Sequence, residues 1–184
     1  GIDGDYDNAI FVSGIGDDAN PGLGPESALA SIQAGIDKAQ ALGRSQVLVA
    51  VGTYGADTGL ILKNGVSLYG GFAEDFQTRS DTLSTFTTEA STGMSATNLS
   101  SETVVDGLEI SVANQSDIGQ EAVGLIVQSA GSFFTMRNSL VRVGEGGAGY
   151  SGPASPRAAA GTAGGSAGTG NDGGAGGVSG GGKG

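Results

Sequence analysis

Between Gln46 and Phe72 the chain carries short apolar runs separated by turns, with no interval long enough for a helix. A parallel strand pair joined through a helix needs a crossover of a dozen or more residues. Gln46–Val51 is apolar at alternate and at intervening positions, as in a parallel strand covered on both faces. Gly52 then turns the chain. Leu60–Leu62 and Val66–Tyr69 are further strands, divided by the Asn64–Gly65 turn. Just before them, Ile32, Ile36 and Ala39 fall on one face at helical spacing. Ser31 is placed to cap the helix N-terminus, and Gly43 to end it, with Arg44 beyond. One helix followed by brief, helix-free strands predicts the capped entrance of a β-solenoid.

Around this stretch the sequence divides into three. Residues 1–8 form an acidic segment in which Asp3, Asp5 and Asp7 alternate. Spaced carboxylates suit a calcium loop, but twelve positions from Asp3 stands Gly14 rather than a bidentate glutamate, so a solvated acidic linker is the alternative. Residues 9–143 are the folded body, with the capping helix near 32–42. In the body, Ile10–Ser13 is a strand, and the following loop holds Asp17, Asp18 and Asn20. These three side chains either bond nearby backbone amides in Asx turns or contribute to a cation site. Residues 73–103, rich in Ser and Thr, read as a long excursion with one strand at 84–87. Strands resume at 104–112, 124–128, 134–137 and 141–143, with Leu108, Ile110, Leu125 and Val127 inward. Asn138 marks a bend, either bonding to an adjacent coil or standing exposed.

Residues 144–184 hold 18 of the 37 glycines. Every third position from Gly146 to Gly182 is glycine at nine of thirteen places, the exceptions being Ser155, Ala158, Ala167 and Ser179. That register suits extended, polyproline-II-like or polyglycine-II-like strands packed closely by backbone. A flexible low-complexity linker is the other reading. Nothing after Val143 reads as a cap, so the body is expected to end in unpaired strand edges. Either it is a piece of a longer solenoid or another copy covers it.

Charge and composition narrow the functions. Glu145, Asp172, Arg157 and Lys183 cancel, so the formal charge of −11 lies on residues 1–143 and disfavours nucleic acid as a partner. The chain has no cysteine and no histidine, which removes disulfides, thiolate catalysis and imidazole chemistry. No apolar run approaches the length of a membrane helix. Gly1 in place of Met suggests a removed leader or upstream segment. Asp106 and Glu109 stand at odd spacing in one predicted strand, pointing to opposite faces, and make no acid/base pair. No catalytic residue, metal ligand or cofactor site is therefore predicted. Thr82, Thr85, Thr87, Thr88 and Thr92 lack the spacing of a regular array for ice or mineral.

The segments IFVSGIGDDANPG (10–22), SIQAGIDKA (31–39), VLVAVGTY (47–54) and LKNGVSLYGGF (62–72) resemble, in order and spacing, the opening of bacterial surface proteins of the pectin-lyase-like superfamily. VDGLEIS and FTMRNSLVRVG fit only the generic coil pattern. The resemblance implies an all-β fold, a right-handed parallel β-helix with an N-terminal capping helix, and an exported, cell-surface or extracellular location. The superfamily's lyase and polygalacturonase motifs are not matched. The expectation is a non-enzymatic structural protein whose glycine-rich segment mediates self-association, filaments included. The alternative is a β-helix that binds or cleaves polysaccharide, with Phe72, Phe76 and Phe86 either walling a groove or packed in the core.

Overall fold

The computed structural model describes residues 6–152, almost all of them in a unit that ends at Tyr150. Twelve strands and one α-helix make up the body. They are β1 (Ala9–Val12), α1 (Ile32–Leu42), β2 (Gln46–Ala50), β3 (Thr53–Ala56), β4 (Leu60–Ile61), β5 (Ser67–Phe72) and β6 (Ser84–Thr88). There follow β7 (Thr92–Thr97), β8 (Thr103–Asp106), β9 (Leu108–Val112), β10 (Val123–Gln128), β11 (Phe134–Arg137) and β12 (Leu140–Val143).

The strands lie in three sheets, ordered β1-β2-β5-β8-β11, β3-β6-β9-β12 and β4-β7-β10, and all their pairings are parallel. From β2 onward the chain visits the three sheets in rotation. Register then stacks like side chains. Ile10, Val47, Leu68, Val105 and Met136 form one column, and Tyr54, Phe86, Ile110 and Val141 a second. Leu60, Met94 and Leu125 form a third. The three columns meet in one apolar core, where each fully buried aliphatic side chain contributes about 1.5–3 kcal/mol.

The expectation of an all-β, right-handed parallel β-helix is corrected by this arrangement. The described strands fall into three separate open parallel sheets, and among the described residues no sheet closes on itself or runs on as a solenoid. A helix of eleven residues packs on β1, β2 and β4, and the fold is parallel α/β-like. Alternation of apolar residues tells which side chains point inward, but neither handedness nor closure follows from it. The other part of that expectation, an extended glycine-rich segment, lies outside the described residues beyond 152.

α1 is specified by its ends. The Ser31 side chain accepts a hydrogen bond from the Ala34 amide, and Gly43 adopts a left-handed conformation with φ 66°. Ile32, Ile36 and Ala39 are buried beneath it.

The first sheet is covered on both faces. Its outer side carries a second cluster of Ala9, Phe11, Leu48, Ala50, Phe72 and Phe76. The cover is the excursion after β5, which folds back through Ala73 N–H to Thr78 O (2.9 Å) and Ser80 N–H to Gly71 O (2.8 Å). The excursion is shorter than expected, because β6, β7 and the start of β8 occupy most of residues 84–103. The single strand expected at 104–112 is two, in different sheets, divided at Gly107 with φ 77°.

Candidate functional site at the terminal strands

The two ends of the sheets are finished differently. At the first end the outer edge of β1 is bonded by the loop after it. Phe11 N–H donates to Gly22 O (3.0 Å), Leu29 N–H to Phe11 O (2.9 Å) and Ser13 N–H to Leu29 O (2.9 Å). Asp18 accepts from the Ala30 and Ser31 amides, fixing the entry to α1. On β4, the Gln33 side-chain amide takes the place of a neighbouring strand: it accepts from Ile61 N–H (2.9 Å) and donates to Ile61 O (3.3 Å).

At the other end β10, β11 and β12 are the last strands of their sheets, and no described strand pairs with their outer edges. The core thins out there. Leu125, Phe134, Met136 and Val141 are only partly buried, while Ile126, Val127 (48 % exposed), Phe133, Leu140 and Val143 (45 % exposed) face solvent. Unpaired parallel edges flanked by exposed apolar side chains are a ready surface for another chain. Val127, expected inward, is among the exposed residues.

Two ion pairs fasten these strands to the preceding ones. Arg142 Nε lies 2.6 Å from Glu109 on β9. The other is centred on Asp106, the C-terminal residue of β8, which is 3 % exposed. Its carboxylate accepts from Arg137 Nε (2.8 Å), Arg79 Nη2 (3.0 Å) and Asn138 Nδ2 (3.2 Å). Burial alone would push this carboxyl up, but the hydrogen bonds from Arg79, Arg137 and Asn138, with the Arg79 charge, outweigh it and hold it below the usual carboxylate range. Arg79 also donates to Gly70 O (2.6 Å) and lies against the rings of Tyr69 and Phe72. Beside the cluster opens a shallow depression of about 420 Å³, bordered by Ser80, Asp81 and Leu83.

Asp17 accepts from the Ala19 amide, and Asn20 donates to Ala28 O, so Asp17, Asp18 and Asn20 all bond backbone groups of their own loop. Asp3 and Asp5 lie outside the described residues, and Asp7 lies in a short 3₁₀ turn. Among the described residues no group of three Asp, Glu, His or Cys side chains is placed to hold a metal ion. Phe86 is in the inner core, and Phe72 and Phe76 are in the outer cluster, so none of them lines an open groove. Thr85 and Thr87 share the outward face of β6, whereas Thr88 is buried, Thr82 is in a loop and Thr92 opens β7. Asn138, at a left-handed bend with φ 47°, bonds one strand back to Asp106 and is exposed as well.

Asp106 and Glu109 belong to different sheets, and each faces an arginine that sequence reasoning did not assign to it. The missed signal is the bend. Gly107 and Asn138 both take positive φ, and the residues just before them, Asp106 and Arg137, are register partners. The glycine-rich stretch contributes as far as it is described. Residues 144–148 run beside 113–120, with Gln115 N–H to Glu145 O (2.8 Å) and Gly119 N–H to Ala148 O (2.8 Å).

No described helix is long and apolar enough to cross a membrane. Comparison with family models, curated proteins and solved structures gives no match, so the resemblance drawn from residues 10–72 rests on those residues alone.

Proposed function

We propose that this chain is a non-enzymatic structural protein of an exported, surface or extracellular kind, and that its terminal strands are a self-association surface. The observation that carries this reading is the contrast between the two ends. At the first end the edges of β1 and β4 are bonded by a loop and by the Gln33 side-chain amide of α1, while at the other no described strand follows β10, β11 or β12 and their apolar residues face solvent. Parallel strand edges without a partner among the described residues are open to pairing with another chain. Sedimentation velocity of the full chain over a wide concentration range tests it. Species larger than one chain should grow in with concentration; a monomer throughout would overturn the reading.

A further inference from the structure

We propose that Asp106 is a shared catch: its one buried carboxylate holds both the strap of residues 73–83 and the terminal strand β11, so that opening either loosens the other. The coupling needs no second copy and stands apart from the self-association reading.

The strap has a hinge and a plug. It leaves β5 past Gly70 and Gly71, the latter with φ 84°, and packs Phe76 into the outer apolar cluster with Phe11, Leu48 and Phe72. The Tyr6 hydroxyl donates to Phe76 O, and the Ser13 hydroxyl to the Glu74 carboxylate. Arg79 ties the strap to β8. Its guanidinium passes over Gly107, where a Cβ would come within 2.6 Å of Nη2. Nη2 donates to both the backbone carbonyl and Oδ1 of Asp106, at 3.0 Å each.

β11 reaches the same carboxylate from the other side. β8, which carries Asp106, lies between β5, from which the strap springs, and β11. Arg137, the register partner of Asp106, donates to Oδ2, and Asn138 at the bend donates to Oδ1. Among the described residues no hydrogen bond joins residues 73–83 directly to residues 134–138, so Asp106 is the link between them.

Burial sets the sign of the coupling. Asp106 ends its strand yet is 3 % exposed, with Arg79, Arg137 and Asn138 around its carboxylate. Each of these groups keeps water from the bonds of the others, and a hydrogen bond to a charge is stronger where water is excluded. The two guanidiniums also repel each other, which favours the opposite sign. That repulsion is the weaker effect, because Arg137 is 57 % exposed and its charge is solvated and screened, whereas Arg79 is 25 % exposed. Unseating β11 therefore admits water to the carboxylate and weakens the hold on the strap. By reciprocity, lifting the strap weakens β11. A disturbance at the terminal edge is thus transmitted to the apolar face beneath the strap.

Amide hydrogen exchange of the full chain reads both ends of the link. Arg137→Ala should speed exchange at the strap amides of Ala73, Phe76 and Ser80 by at least about threefold, and Arg79→Ala should do the same in β11. Arg142→Ala removes a similarly exposed arginine from β12 without touching Asp106, and should leave the strap unchanged. In an Asp106→Asn chain, Arg137→Ala should no longer reach the strap. Thermal melts establish that each variant folds, and Arg79→Lys, which keeps the charge but loses the fork, should act on β11 in the same direction as Arg79→Ala. Strap exchange that is unchanged or slowed by Arg137→Ala overturns the coupling. So does a strap that responds equally to Arg142→Ala, the mark of general destabilisation, or one that still responds without the Asp106 carboxylate.

Discussion

Replacing Phe76 with alanine is expected to lower the unfolding free energy by about 3–5 kcal/mol, the range for a fully buried aromatic that leaves a cavity. Phe76 is wholly buried, although it sits in a surface excursion. Its ring meets Phe11 edge to face at 5.0 Å and lies 6.0 Å from Phe72, and its carbonyl accepts from the Tyr6 hydroxyl at 2.8 Å. It also holds a positive φ of 56°, a conformation that a phenylalanine adopts only when its surroundings favour it. The ring is therefore the plug by which residues 73–83 close the outer face of the first sheet. Urea unfolding of Phe76→Ala and Phe76→Leu measures this. Leucine should recover part of the loss, and a loss under about 1 kcal/mol for alanine would show that the excursion is not what covers the sheet.

The second large effect belongs to Asp106. Removing its carboxylate strands Arg79, which is mostly buried, and releases Arg137 and Asn138, so Asp106→Ala should cost about 3 kcal/mol. Arg137→Ala should cost much less, because that side chain is more than half exposed and its charge can be solvated. The pH dependence carries a sign. The folded-state pKa of Asp106 is depressed, so the unfolded chain binds its proton first. The stabilisation is complete above the ordinary carboxylate value of about 3.9 and is lost as pH falls through the depressed one. Asp106→Asn should lose the corresponding part of the acid limb while behaving alike at neutral and mildly acidic pH. An acid limb identical in both proteins would mean that the carboxylate is not held in its ionised form by the arginines.

Local signals made some elements legible and hid others. α1 could be read because Ser31 and Gly43 act on their own neighbours, as could β2, whose Val and Leu residues are dense, and β5, whose Leu68 follows the Asn64–Gly65 turn. β7 (TGMSAT) could not, since only Met94 and Ala96 are both apolar and deeply buried and the rest resembles loop. The split at Gly107 was hidden because a single left-handed residue redirects the chain without interrupting its apolar pattern. The excursion's plug reads from sequence equally as groove wall or core, since an isolated Phe carries no periodicity. The candidate site was legible only in outline. An uncapped end could be expected from the absence of capping signals after Val143, but Arg79 and Arg137 stand 27 and 31 residues from Asp106. Only strand register brings them to one carboxylate, and register between distant parallel strands leaves little trace in a single sequence.

Amide hydrogen exchange of the full chain at low and high concentration reads directly which surface is used when copies meet. Exchange should slow on association in residues 123–143, where β10, β11 and β12 present edges that no described strand pairs with. Unchanged exchange across residues 123–143, in a sample whose sedimentation shows assemblies, would contradict it.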